Sequence, residues 1–184
     1  QNIMLKTLNV NHSASVGFTI KKLTITPEVG LNLSYNALDS NLFGVNGSNS
    51  TSYNNNYTND LKWNNNNPYA QVMLNYKNDA LNVNVVLPVN YYKISYQDNI
   101  LQSKNKDINR TIFEPTLFAY YDFASFWKAM IFSNINYSLG DFGSLYSGKI
   151  MLTPNYINNK DVNVLSQTIN KNVGGRIEYR NPLN

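Results

Sequence analysis

The chain has 184 residues, 42% of them hydrophobic, and carries a formal net charge of +4 at pH 7. It contains no cysteine, which excludes a disulfide framework and cysteine metal sites. The lysines are scattered, so the clustered basic surface of a nucleic-acid-binding domain is absent. No segment approaches the roughly 18 consecutive apolar residues of a transmembrane helix, although a membrane-crossing strand needs only about 9–11.

Apolar and polar residues alternate over most of the chain, and this period of two predicts β-strands. Several of the predicted strands reach about 13–15 residues, well beyond the common length of about 5–6. In the segment 110–121, Phe118 and Tyr120 fall on the polar series, which leaves the facing of that strand open. The predicted strands lie at 8–20, 23–37, 69–77, 80–92, 110–121, 127–138 and 166–180.

The connections between these strands alternate between short and long. The short ones are Lys21-Lys22, Asn78-Asp79 and Asp122–Phe126, and the long polar ones are 38–68, 93–109 and 139–165. Outer-membrane barrels have short periplasmic turns and long extracellular loops. The pattern therefore predicts an all-β fold: an antiparallel transmembrane β-barrel, with residues 1–184 forming about seven strands of a larger barrel domain.

Prolines interrupt three of the predicted strands. Pro27, Pro88 and Pro115 each lack the N–H group that a strand donates to its neighbour. A β-bulge accommodates such a residue by inserting it without a pairing partner. We therefore expect bulges at these three positions.

Two segments near the end of the sequence carry a family resemblance. Residues 137–148 read Tyr-Ser-Leu-Gly-Asp-Phe-Gly-Ser-Leu-Tyr-Ser-Gly and are followed by Asn155-Tyr156, and residues 177–182 read Ile-Glu-Tyr-Arg-Asn-Pro. This part of the chain resembles the barrel of TonB-dependent outer-membrane receptors of the Bacteroidota type. The resemblance implies a barrel of about 22 strands, closed by an N-terminal plug domain. It also implies uptake of a solute, powered by an inner-membrane energy-coupling protein.

The chain has neither a plug domain nor an energy-coupling box, and an odd number of strands is unusual for a bacterial barrel. We therefore expect an interior segment of a receptor in the bacterial outer membrane. Its expected partners are membrane lipid and the remaining strands and plug of the same receptor. The resemblance adds the energy-coupling protein and a surface lipoprotein, the alternative to the lipoprotein is barrel-assembly machinery that holds a partial barrel, and no nucleic acid is expected.

No motif predicts an enzyme, a cofactor or a metal site, because the single histidine, His12, has no neighbouring metal-ligating residues in sequence. Charged residues on the polar series of the strands are candidates to line a barrel lumen. The alternative is that they pair with one another across neighbouring strands. The lumen-lining candidates are Glu28, Glu114, Arg176, Glu178 and Arg180.

Aromatic residues in and beside the first long connection are candidates for ligand contact, because such rings stack on ligands. The alternative is that they only anchor the loop. The candidates are Tyr53, Tyr57, Trp63 and Tyr69.

Two other functions fit parts of the same pattern. One is an outer-membrane barrel that acts as a scaffold, or a partial barrel held by an assembly or translocation machine. The other is a soluble all-β carbohydrate-binding module, with a sandwich or jelly-roll fold. The soluble module predicts shorter strands and apolar faces that pack on each other.

Overall fold

The computed structural model describes residues 2–46, 48–52, 57–140, 146–153, 156–160 and 167–180. Within these residues the fold is all-β, with one short 3-10 helix at Gln102–Lys104 and no α-helix. None of the described segments forms a helix long and apolar enough to cross a membrane. The strands are β1 (Asn2–Ser15), β2 (Phe18–Ile20), β3 (Leu23–Asn41), β4 (Phe43–Asn46), β5 (Asn49–Ser52), β6 (Thr58–Lys77), β7 (Leu81–Asp98), β8 (Lys106–Phe113), β9 (Thr116–Ala124), β10 (Trp127–Ser138), β11 (Tyr146–Thr153), β12 (Tyr156–Lys160) and β13 (Thr168–Tyr179).

Nine of these strands form one antiparallel sheet. Its order is β1-β3-β6-β7-β9-β10-β13, with β2 pairing to β3 and β8 pairing to β7. Each strand on the path therefore lies beside the next one along the chain, and the seven positions correspond to the seven predicted strands. Over the described residues the sheet is not closed, because β1 and β13 do not pair with each other.

Two of the seven positions are occupied by two strands in series. The first interruption, at Val16-Gly17, lies opposite Pro27, and the second, at Glu114-Pro115, lies opposite Pro88. The residue pairs before and after each interruption follow the same pairing register. The backbone N–H of Val16 still donates to the carbonyl of Pro27 at 3.2 Å. The bulges expected at the prolines are therefore wrong: each missing N–H interrupts the ladder without shifting it. The register shift in this sheet lies instead at Trp127/Lys128.

The short turns all lie at one end of the sheet, which we call the proximal end. They connect β2 to β3, β6 to β7, and β9 to β10, and Asn78 shapes the second by accepting hydrogen bonds from the N–H groups of Ala80 and Leu81 at 3.0 and 2.6 Å. The long connections all lie at the opposite, distal end. The predicted alternation of short and long connections is confirmed.

The structureless character predicted for the three long connections is wrong. β3 continues to Asn41 and β6 begins at Thr58, so most of 38–68 is strand, and β4–β5 form a hairpin within it. β7 and β8 likewise extend through much of 93–109, and β11–β12 form a hairpin within 139–165. Tertiary packing overrides the low strand propensity of these asparagine-rich segments.

The pairing register assigns every residue of the sheet to one of two faces. Face A carries Leu23, Val29 and Val83, and face B carries Glu28 and Asn84. In the strand whose facing was open, Phe113, Leu117 and Tyr121 fall on face A, and Phe118 and Tyr120 on face B. The buried core lies on face B at the distal end and includes Leu38, Leu61, Trp63, Tyr96, Tyr146 and Ile150.

Candidate functional site

Face A presents an apolar band that crosses all seven strand positions. The mainly apolar run on this face spans about 11 residues per strand over 81–91, 113–123, 127–137 and 169–179, interrupted by Ser133 in β10 and by Lys171 near the distal margin of β13. Its side chains remain exposed: the exposed fraction is 61% for Val29, 55% for Ile131 and 82% for Val173. A monomeric soluble protein rarely exposes a contiguous apolar patch of more than a few hundred Å². This band therefore needs a covering phase or partner.

Aromatic side chains lie at both margins of the band. Near the proximal end, the Trp127 and Tyr179 rings lie 5.1 Å apart, with Phe123 stacked at 6.2 Å from Trp127. The distal margin on face A carries Tyr35, Tyr91 and Tyr137, each more than a third exposed. Rings of this kind, with an apolar body and a polar tip, are enriched at the boundary between an apolar and an aqueous phase.

Face B is polar along the same length of the strands. All five lumen-lining candidates lie on this face, so the structure places them together on one side of the sheet. Glu28 accepts a hydrogen bond from the Tyr69 hydroxyl at 2.7 Å. The Oε2 atom of Glu114 accepts one from the Asn90 amide at 2.9 Å.

The remaining three candidates follow one another along β13. The Glu178 carboxylate lies 2.7 Å from Arg180 and 3.5 Å from Arg176. A third charged pair, Lys128–Asp122 at 3.4 Å, joins β10 to β9. The β13 candidates are thus ion-paired within one strand and not across strands, whereas Glu28 and Glu114 accept hydrogen bonds from neutral groups.

The ligand-contact candidates do not share one location. Trp63 is only 4% exposed and belongs to the distal core on face B, so its placement in a loop is wrong. Tyr69 lies within β6, where its ring covers Gly30 so closely that a Cβ atom there would overlap it. Tyr57 lies just before β6, with the Lys149 Nζ atom 5.5 Å from its ring centre. Tyr53 lies outside the described residues.

The β11–β12 hairpin docks on face B through buried polar contacts that the sequence did not indicate. The Gly148 N–H donates to the Asn59 Oδ1 atom at 2.7 Å, and the Asn59 amide donates to the Ser40 hydroxyl at 2.9 Å. Asn59 and Ser40 are 0% and 1% exposed. A Cβ atom at Gly148 would overlap the Thr58 carbonyl oxygen, so only glycine permits this approach. The hairpin therefore covers the distal end of face B.

The docked hairpin is also fixed by apolar packing. Tyr146 and Ile150 lie two residues either side of Gly148 and enter the distal core. Burial raises the pKa of the Tyr146 phenol, with a further contribution from Tyr156. The alternation of Tyr146, Gly148 and Ile150 is the only sequence signal of this strand, and the surrounding polar residues obscure it.

Two amide oxygens lie on face B between the distal core and the polar part. The Oδ1 atoms of Asn65 and Asn67 are buried and have no hydrogen-bond partner among the residues that the structure describes. A buried acceptor without a partner costs about 1–3 kcal/mol.

No protein-family model matches the chain, and no curated protein matches its sequence. Among the described residues, no three metal-ligating side chains are grouped so that they could hold a metal ion.

Proposed function

We propose that the chain forms part of the wall of a β-barrel in the bacterial outer membrane, with face A toward lipid and face B toward the lumen. The observation that carries this proposal is the exposed apolar band across seven neighbouring strand positions. A run of 11 residues is about 35 Å long and, tilted by about 45°, spans about 25 Å, the height of the apolar band of such barrels.

The soluble sandwich explains the band less well. A sandwich buries its apolar face against a second sheet, with the inner faces about 10 Å apart. Face A is exposed, whereas the β11–β12 hairpin packs on face B. Seven strands with bands of this height present on the order of 1,000 Å², and covering that area contributes about 25 kcal/mol. Lipid supplies this cover across the whole band.

The edges of the sheet bear on what completes the wall. In a membrane, backbone groups at an open edge have no water to bind, and each costs several kcal/mol. β1 and β13 each pair with one strand in the described part of the chain. The proposal therefore requires further strands beside both edges, from the same receptor or from an assembly machine.

Within this proposal, a TonB-dependent receptor for solute uptake is the more specific function. The resemblance over 137–148 and 177–182 supports it, although residues 141–145 and 181–182 lie outside the described residues. The polar side chains of face B, beneath the hairpin that covers its distal end, suit a solute path. A receptor requires a plug domain in the full polypeptide, whereas a scaffold barrel does not.

Single-cysteine labelling along β7 tests the wall directly, because the chain has no cysteine of its own. The chain is refolded in detergent or nanodiscs, and a polarity-sensitive maleimide dye is attached at successive positions. We expect apolar emission, quenched by lipid-soluble quenchers, at Val83, Val85 and Leu87, and aqueous emission at Asn82 and Asn84. Equal emission on both faces, or a strand-rich monodisperse chain in plain buffer, contradicts the proposal.

A further inference from the structure

Face A carries a surface depression at the distal margin of the apolar band, between β1, β3 and β6. Its volume is about 390 Å³. Register places Lys6, Ala37 and Lys62 side by side in one row across the three strands, and Leu8, Tyr35 and Asn64 in the next row toward the band. The depression therefore has a cationic rim and an apolar floor that continues into the band.

The small side chain of Ala37 creates the gap between the two lysines. The lysine backbones lie two strand spacings apart, about 10 Å, and the long flexible lysine stems can bring both ammonium groups to a common ligand. Neither lysine forms an ion pair among the described residues. Both charges therefore remain available to an anion.

Acidic residues limit how far outward an anion can bind. Asp39 lies opposite Asp60 in the row beyond the lysines, on the same face. The Asp60 carboxylate accepts a hydrogen bond from the Asn99 side-chain amide at 2.9 Å. An anion is repelled by this row and attracted by the lysines, so its most favourable position is between the lysine row and the apolar row.

We propose that this depression binds the phosphate of a membrane lipid, with Lys6 and Lys62 on the phosphate and an acyl chain over Leu8 and Tyr35. The assignment rests on the proposed lipid-facing role of face A. A lipid is favoured over free phosphate because the floor is apolar and continuous with the band. Each lysine near an anionic surface contributes about a five-fold increase in affinity, so the pair contributes about 30-fold.

Native mass spectrometry of the full chain in zwitterionic detergent micelles tests this site. The probes are phosphatidic acid and phosphatidylcholine with identical acyl chains. We expect the chain to retain phosphatidic acid about 10- to 30-fold more strongly. The double variant Lys6→Gln/Lys62→Gln loses this preference, whereas the matched control Lys21→Gln/Lys22→Gln, with the same change of net charge at the proximal end, keeps it.

A second variant separates shape from charge. Ala37→Leu fills the gap without altering any charge, and we expect it to lose the preference while circular dichroism shows an unchanged strand content. Equal losses in the two lysine pairs, or retention in Ala37→Leu, overturn the site. Displacement by inorganic phosphate at equal concentration overturns the lipid assignment. If the β7 labelling test gives the expected pattern but phosphatidic acid is not preferred, only the lipid-binding site is refuted. If the labelling test fails, the proposed function itself is refuted.

Discussion

An arginine substituted at the centre of the apolar band tests which phase covers face A. Leu87 lies near the middle of the 81–91 run on this face, and its neighbour in space across β6 is Val72. For barrel proteins, an arginine on the lipid face costs about 2–4 kcal/mol at the midplane and about 0–1 near the interfaces. We expect Leu87→Arg to lower the free energy of unfolding by about 2–4 kcal/mol, a factor of about 30 to 1,000 in the folding equilibrium.

Two positions on the same strand provide controls. Asn84 is exposed on face B, and Ser95 lies on face A beyond the distal aromatic margin. Arginine at either position should change the free energy of unfolding by less than about 1 kcal/mol. The assay is urea unfolding in phospholipid vesicles, followed by tryptophan fluorescence. If the three variants unfold alike, or if Leu87→Arg makes the chain more soluble and no less stable in plain buffer, face A does not contact lipid.

Three further predictions concern the hairpin and face B. Asn59→Ala removes the buried hydrogen bond from Gly148 of the β11–β12 hairpin and the bond from Asn59 to Ser40 within the sheet. It should cost about 1–3 kcal/mol per group left without a partner and expose the hairpin to limited proteolysis, whereas Asn49→Ala should do neither. Because the folded-state pKa of Tyr146 is raised, its contribution to stability is complete below the unfolded value of about 10 and is lost as pH rises through the folded value. The rate at which a protease cleaves the hairpin should therefore increase at alkaline pH, and Tyr146→Phe should abolish this pH dependence. Gly174→Ala forces the Phe132 ring from its position over the glycine, which should lower the unfolding midpoint in urea, whereas Gly174→Ala with Phe132→Ala should recover part of the loss.

The strands that carry the apolar band were predictable because one face of each is apolar along the whole band. In β7 the residues Leu81, Val83, Val85, Leu87, Val89 and Tyr91 share one parity, with only Val86 and Pro88 apolar on the other, and the register places this series on face A. The sequence predicts that the prolines interrupt the regular strand pairing, but it does not predict whether each interruption shifts the register. Whether a missing N–H shifts the register depends on the neighbouring strand, and the carbonyl of Pro27 keeps its hydrogen bond.

The distal extension was not predictable because its apolar residues occupy the opposite parity. In β7 the apolar series ends at Tyr91, and the buried Ile94 and Tyr96 then lie on face B. A strand prediction based on alternation therefore ends the strand where the parity changes. Trp63 was misplaced for the same reason, since it lies among asparagines and belongs to a core formed only when β11 docks.

The change of parity is itself an argument for the proposed environment. A soluble sheet with its core on one side keeps its apolar residues on that side along each strand. Here the apolar side changes from face A to face B between Ala37 and Leu38 in β3, and between Tyr91 and Ile94 in β7. The pairing register connects Ala37 of β3, through Lys62 of β6, to Gln97 of β7. The change of apolar face in β7 therefore lies several residues nearer the proximal end than the change in β3, as expected where tilted strands cross one boundary. Under the proposed function, one phase boundary explains both positions, with lipid over face A below the boundary and, above it, water against face A and the hairpin over face B.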